Sequence, residues 1–253
     1  MKIISYNVNG IRSAISKGLP DWLREENPDV LCLQETKAQP EQIDNALFEE
    51  LGYHCYFHSA EKKGYSGVGI LSKTKPDAVI YGMGNEKYDR EGRVIRTDFG
   101  TISVISVYIP SGTTGGVRQD FKMEFLFDFS TYIHTLRETR PNLVIAGDYN
   151  IAHKPIDINH PERQVGVSGF LPEERDWLTD FLASGFLDSF REIDTSPEKY
   201  SWWSYRAGAR SRNMGWRIDY HLINKEIAPK LKHAAILNDI IHSDHCPVLV
   251  ELI

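Results

Sequence analysis

Three cysteines among 253 residues are too few, and odd in number, for a disulfide framework. Cys32, Cys55 and Cys246 also lack the paired spacing of a structural zinc site. Cys32 and Cys246 lie in apolar strand-like runs, so all three thiols are expected reduced and those two are expected in the core. No apolar run approaches the roughly 18 residues of a membrane span, so no membrane helix is expected. The opening "MKIISYNVNG" passes directly into strand-like sequence, so neither a signal peptide nor a long leader is expected. The protein is therefore expected in the cytoplasm, near the nucleoid if the source is bacterial. A basic excess is missing as well. The net charge of −6 argues mildly against nucleic acid as a partner, unless acids and bases are segregated. Repeats, low-complexity tracts and Pro/Gly/Ser-rich linkers are absent, which favours one domain over residues 1–253.

What is present can build a large core. Hydrophobic residues make up 41% of the chain, enough to fold without disulfides. Eight short runs rich in β-branched and aromatic residues read as strands: "KIISYNV", "DVLCLQ", "GVGILSK", "VIRTDF", "ISVISVYI", "NLVIAG", "RIDYHLI" and "PVLVELI". Several are apolar almost throughout, as when both faces of a sheet are covered. Helices are expected over "QPEQIDNALFEELG", with Ile43, Ala46, Leu47 and Leu51 on one face and Gly52 as a stop. They are also expected over "RQDFKMEFLFDFSTYIHTLRETRP", with Phe121, Phe125, Phe129, Ile133 and Leu136 at helical spacing, and from Pro172 to Gly185. Strands and helices intermix, so the class is α/β (or α+β) with substantial sheet.

Charge is segregated in one place. From Lys199 to Ile218 stand Lys199, Arg206, Arg210, Arg212 and Arg217, with no acid and with Trp202, Trp203 and Trp216 among them. Arginines with aromatics suit a phosphate backbone and the face of a base or sugar. A solvated loop with packed tryptophans is the plainer alternative. Trp202 and Trp203 are adjacent, so on a strand they face opposite sides.

The chemistry is expected where the apolar runs end. The first reaches Asn7 and Asn9, the second Glu35, the fifth Tyr108 and Ser111, and the sixth Asp148 and Asn150. Asp219 stands inside the seventh, and Asp244 and His245 precede the last. Each alone has a bland reading as a turn or surface residue. Together, at strand edges, they would put several carboxylates and one imidazole in a single cleft. Such acids repel one another, and a hard divalent cation relieves them; oxygen ligands favour magnesium over zinc. One histidine among them suits acid/base or hydrogen-bonding work. Asp, His, Mg²⁺ and nearby Arg form a set suited to phosphoester hydrolysis.

In order along the chain, "SYNVNGIRS", "LCLQETK", "YIPSG", "GDYNIAH", "SGFLPEER", "ARSRNMGWRIDYHLI" and "SDHCPV" resemble the motifs of the exonuclease III family of apurinic/apyrimidinic (AP) endonucleases. The sixth is similar to the branch that holds the human-type enzyme and bacterial exonuclease A. The resemblance implies a four-layer sandwich of two mixed β-sheets, packed face to face with helices on both outer sides. It implies Mg²⁺-dependent cleavage 5′ to an abasic site in double-stranded DNA, leaving a 3′-hydroxyl and a 5′-deoxyribose phosphate. Accessory 3′-phosphodiesterase and 3′–5′ exonuclease activity, replacement of Mg²⁺ by Mn²⁺, action on 3′-blocked ends and a monomeric state are further implications.

By the same resemblance Glu35 is the principal metal ligand, with Asn7 and Asp244 at or around the ion. Asp148 positions and activates water, beside Asn150. His245 contacts the scissile phosphate and pairs with Asp219, and Tyr108 lies near the phosphate and leaving group. One ion or two are both open; Asp148, Asn150 and His245 are the candidates for a second. Trp202, Trp216 and Ile218 match an apolar pocket for a flipped-out abasic sugar, which is cheap to extrude because no base must be unstacked.

The chain also departs from the pattern. Asn9 replaces an Asp of the human-type enzymes, and Ser111 replaces an Asn found in many members. "GTTGGVRQ" differs from a loop that inserts an Arg into DNA; Arg118 stands nearest to that role. Arg206 occupies the place of another DNA-inserting side chain, and Arg212 is a further candidate contact. A phosphatase for small molecules or lipid head groups, and a DNA-binding relative without catalysis, are the competing readings.

Overall fold

The computed structural model describes residues 1–253. The elements follow one another as β1 (Lys2–Asn7), α1 (Ile11–Ser16), α2 (Leu19–Glu26), β2 (Val30–Gln34), α3 (Ala46–Glu49), β3 (His54–His58), β4 (Val68–Ser72), β5 (Ala78–Tyr81), α4 (Glu86–Asp89), β6 (Val94–Phe99), β7 (Ile102–Tyr108), α5 (Gly116–Thr139), β8 (Asn142–Asp148), α6 (Pro172–Ala183), β9 (Phe186–Asp188), α7 (Ser189–Ile193), β10 (Trp202–Trp203), β11 (Gly215–Trp216), β12 (Asp219–Asn224), β13 (Leu231–Ile236) and β14 (Val248–Leu252).

Two six-stranded sheets carry the architecture, ordered β13-β14-β1-β2-β4-β3 and β5-β6-β7-β8-β12-β9. Each is mixed and holds one parallel pair near its centre, β1 with β2 and β7 with β8. Parallel neighbours need a crossover. Helices α1 and α2 make the first, and α5 makes the second, which places helices on the outer faces.

Side-chain alternation sorts the core into layers. In β1, Ile3 faces the other sheet while Ile4 packs outward with Ile11, Ala14 and Leu23. In β8, Val144 and Ala146 face inward, and Leu143 and Ile145 pack under Phe125, Phe129 and Ile133 of α5. Both faces of the central strands are thus buried, which accounts for their nearly continuous apolar sequence. Each fully buried Phe or Ile on α5 contributes about 1.5–3 kcal/mol through burial. Helix, sheet, sheet, helix is the expected four-layer sandwich.

All eight expected strands are present, as are the helices over α5 and α6. The helix expected from Gln39 to Gly52 is not continuous. Pro40–Gln42 form one 3-10 turn, Ile43 is extended (φ −102°, ψ 120°), and α3 begins only at Ala46. Ala46 is exposed; Ile43 and Phe48 are the buried residues, so the apolar positions do not form one helical face. Burial of Ile43 from an extended backbone competes with helix continuation and wins.

The topology fixes where a site can form. The C-terminal ends of β1 and β2 lie side by side, as do those of β7 and β8. Strand β12 runs antiparallel to β8, so its first residue, Asp219, pairs with the last residue of β8, Asp148. Strand β14 runs antiparallel to β1, so the segment entering it arrives at the end of β1. Six strand ends therefore meet at one edge of the sandwich.

Candidate active site

Backbone hydrogen bonds stitch this edge together before any side chain is considered. Val8 N–H donates to Gln34 O at 3.0 Å, Gly10 N–H to Glu35 O at 2.8 Å, and Thr36 N–H to Gly67 O at 3.1 Å. Asn9, Glu35 and Asn150 hold left-handed backbone, with φ of 44°, 49° and 50°. Asn tolerates that region; Glu does so at a cost of about 1 kcal/mol or more, which these cross-loop bonds must offset.

The side chains converge as follows. Asn7 Nδ2 donates to Glu35 Oε1 and to Asp148 Oδ2, both at 2.8 Å. Asn150 N–H donates to Asp148 Oδ1 at 2.8 Å, and its Nδ2 donates to Ile109 O at 2.9 Å. His245 Nδ1 lies 2.9 Å from Asp219 Oδ2, and its Nε2 lies 3.9 Å from Asp148 Oδ2. Ser201 Oγ donates to Asp219 Oδ2 at 2.6 Å and holds that carboxylate from behind. Asp219 is the first residue of β12 rather than an interior one, and it is buried. Asn9 Nδ2 donates to Asp244 Oδ1 at 3.0 Å, and Trp202 Nε1 donates to Asp244 Oδ2 at 3.1 Å.

Electrostatics make the cluster demand a cation. Burial raises the Asp148 carboxyl well above its usual range; His245 opposes this, and Asp219 and Glu35 add to it. Burial opposes charge on His245, but Asp219, then Asp148 and Asp244, outweigh it and hold the imidazolium. Burial, then Glu35 and Asp148, keep the Tyr108 phenol protonated. Counted as ionised, Glu35, Asp148, Asp219 and Asp244 face one imidazolium and the Lys37 ammonium, which lies 2.7 Å from Glu35 Oε2. The uncompensated charge is that of one divalent ion. Ligand atoms of Glu35, Asp148 and His245 all lie within 4.8 Å of one another. A donor set dominated by carboxylate oxygen fits a hard divalent cation.

Beside the cluster opens a cleft of about 340 Å³, lined by Glu35, Tyr108, Asp148, Trp202, Trp216 and Ile218 among others. The Trp202 and Trp216 rings meet edge to face, with centroids 6.1 Å apart. Gly169 (φ 97°) closes the wall; a Cβ there would meet the Trp216 ring at 2.8 Å. Ser111 also lines the cleft, its hydroxyl 2.9 Å from that of Thr113. A larger cavity of about 810 Å³ lies against Trp203, Arg210 and His233. It gathers no comparable set of metal-ligand atoms.

Not every expected residue reaches this cleft. Arg118 pairs with Glu91 at 3.1 Å and donates to Tyr65 Oη at 2.9 Å. Arg206 and Arg212 are exposed on the loop between β10 and β11, where Arg212 donates to Ala207 O at 2.6 Å. The basic stretch is only partly a surface. Arg217 is buried between Asp157 and Asp188, at 2.8 and 2.7 Å, and Arg210 ties down the carbonyls of Ser243, Asn238 and Ile240. Trp203 belongs to the core, while Trp202 faces the cleft.

Several participants carried no sequence signal. Arg93, buried immediately before β6, donates to Tyr108 O at 2.9 Å and lies 4.9 Å from that ring. Lys37, Ser201 and Tyr205 also border the cluster; Tyr205 sits beside Asp244 and Asn9. The Gly in "SGF" was the one local hint of a tight wall, since left-handed backbone favours glycine.

Comparison with known proteins agrees with this geometry. The chain is 44% identical over 250 residues to an exodeoxyribonuclease of Bacillus subtilis, covering 98% of each chain. It is 41% identical to a DNA-(apurinic or apyrimidinic site) endonuclease of Dictyostelium discoideum, covering 98% of this chain and 69% of that one. Its fold superposes with a TM-score of 0.93 on a 3′ phosphatase from Neisseria bound to a product DNA hairpin, 28% identical, covering 100% of this chain and 99% of that one. A model of the Endonuclease/Exonuclease/phosphatase family matches residues 4–245, from the first core strand to the imidazole that faces Asp148, and the chain belongs to that family.

Proposed function

We propose that the protein is a divalent-metal-dependent DNA-repair nuclease that hydrolyses the phosphodiester 5′ to an abasic site, with Mg²⁺ as the ion and residues 1–253 acting as one domain. The observation that carries this reading is the placement of Asp148 and the Asp219–His245 pair beside a cleft walled by Trp202, Trp216 and Ile218. Acid/base groups next to an apolar pocket suit an extruded sugar that carries no base.

Glu35 would hold the ion, with Asn7 and Asp244 around it and Asp148, Asn150 and His245 as the candidates for a second. When bound, the ion supplies Lewis-acid neutralisation of charge on the phosphoryl oxygens. Asn7 and Asn150 fix both oxygens of Asp148, which orients water and accepts its proton. The water oxygen then bonds to phosphorus while the bond to the 3′ oxygen breaks; the departing 3′ oxygen takes a proton from solvent and Asp148 returns its proton to solvent, giving a 3′-hydroxyl and a 5′-deoxyribose phosphate. His245, kept cationic by Asp219, donates to a phosphoryl oxygen as its charge grows. Tyr108, buried and protonated, offers a second donor. Ser111 and Asn9 border the path of the backbone, and the exposed Arg206 and Arg212 are basic contacts available outside the cleft, while Arg118 would serve as one only by leaving Glu91. The same site acting at recessed 3′ ends would give 3′-phosphodiesterase and 3′–5′ exonuclease activity.

A 5′-labelled duplex with one tetrahydrofuran abasic analogue tests the reading, with Mg²⁺ and then with EDTA. A single Mg²⁺-dependent cut 5′ to the analogue is expected. Absence of a cut with binding intact would overturn catalysis, and absence of both would redirect the site to small phosphoesters.

A further inference from the structure

We propose that Trp202 is a positioning residue that couples the apolar wall of the cleft to the cation site, an inference that rests on the metal-dependent reading above. An apolar wall needs a ring but not an N–H. Trp202 spends its N–H on Asp244, donating to Oδ2 at 3.1 Å. The other oxygen, Oδ1, takes Asn9 Nδ2 at 3.0 Å and Ser243 Oγ at 3.1 Å. The two oxygens are therefore held by different donors, one of them by the cleft wall.

The connection continues past Asp244. The side-chain carbonyl of Asn9 accepts from the Lys37 ammonium, and Lys37 pairs with Glu35 Oε2 at 2.7 Å. Trp202, Asp244, Asn9, Lys37 and Glu35 thus form an unbroken polar chain from the wall to the carboxylate at the centre of the ligand cluster. The indole cannot drift away from it. Trp203 N–H donates to Asp244 O at 3.0 Å, Cys246 N–H donates to Ser201 O at 2.8 Å, and Trp202 bridges His245 as an isolated antiparallel pair. On its other side the ring meets Trp216 edge to face. A group that fills the cleft presses on the same ring that orients Asp244. Outer hydrogen bonds of this type set how well a carboxylate presents itself to an ion.

The test is direct Mn²⁺ binding by calorimetry to the full-length protein without DNA. Trp202→Phe keeps an aromatic wall and deletes the donor; Mn²⁺ affinity is expected to fall by about 10-fold, the lower end for loss of such a partner. Trp216→Phe alters the same wall without touching Asp244 and should bind Mn²⁺ within about twofold of wild type, well short of that loss. Trp202→Leu, checked for a native melting profile, covers the case in which the Phe variant misfolds and should show the same loss. Unchanged Mn²⁺ affinity in Trp202→Phe, or an equal loss in Trp216→Phe, overturns the inference and leaves the nuclease reading standing. No Mn²⁺ binding by wild type would instead remove the metal-dependent reading, and this inference with it.

Discussion

Lys122 and Glu174, outside the candidate catalytic cluster, form an ion pair at 2.6 Å in which both side chains are essentially inaccessible. The partners are unequally supported. Glu174 also accepts from Gly169 N–H at 2.6 Å, Leu171 N–H at 3.0 Å, Gln119 Nε2 at 3.0 Å and Ser168 Oγ at 3.2 Å. Lys122 has one other acceptor, Asn150 O at 2.7 Å. Glu174→Ala leaves a buried ammonium with one carbonyl and orphans two backbone donors, so its cost belongs at about 3–5 kcal/mol. Lys122→Met leaves a carboxylate that keeps four donors, so about 2 kcal/mol is expected, near the penalty for an imperfectly satisfied buried group. In Lys122→Met/Glu174→Gln the neutral pair retains a side-chain oxygen for the two backbone donors, and the loss should fall at least about 1 kcal/mol short of the sum of Lys122→Met and Glu174→Gln measured singly. Urea unfolding with a common slope measures all these variants. Losses below about 1 kcal/mol in Glu174→Ala, a larger loss in Lys122→Met than in Glu174→Ala, or strict additivity would refute the reasoning.

Asp148→Asn and His245→Ala should each lower turnover by about 10²–10⁴-fold, with abasic-duplex affinity retained; labelled-oligonucleotide cleavage beside fluorescence anisotropy separates the two. His221 is buried at the sheet interface, and burial pushes its imidazole down from 6.5 to about 3. The folded state therefore holds it neutral while the unfolded chain takes a proton below pH 6.5, so stability is complete above that value and declines as pH falls towards 3. At pH 5 the loss from this residue alone is about 2 kcal/mol; His221→Leu should flatten the unfolding profile between pH 7 and 5 by about that amount, and an unchanged slope would refute it. Binding of abasic duplex should weaken steeply with salt, and Arg212→Ala should reduce the slope of log affinity against log salt by about 1. An unaltered slope would remove Arg212 from the phosphate contacts.

The convergence of the candidate site residues was legible because their positions are local to strand ends, and strand ends are what apolar runs reveal. "NLVIAGDYN" shows both the buried strand and the polar residues beyond it. The pairing partners were not legible. Arg217 reads as part of a basic face, and nothing within twenty residues says that Asp157 and Asp188 will enclose it. Arg93 likewise looks like an ordinary charge before a strand until Tyr108 is folded across it. Elements with weak patterning escaped as well: β3 is "HCYFH" and β13 is "LKHAAI", edge strands whose exposed residues dilute the alternation. Helices α1 and α2 sit among Gly10, Gly18 and Pro20, which read as turn residues although Pro20 lies in the first turn of α2. The segment from Gln39 to Gly52 has helical composition throughout, but burial of Ile43 decides its backbone.

The two sheets contribute unequal fractions of one reaction centre. One brings Asn7, Glu35 and the Asp244–His245 turn; the other brings Tyr108, Asp148 and Asp219. On the proposed assignment neither fraction would bind and cleave alone, so activity would report the docking of one sheet on the other. During refolding, secondary structure should return before cleavage does. Fragments divided in the link from β4 to β5 would separate β1-β2-β4-β3, with Asn7 and Glu35, from the whole second sheet and the β13–β14 hairpin, and would stay silent until they recombine, which makes the molecule a natural candidate for a split reporter of proximity.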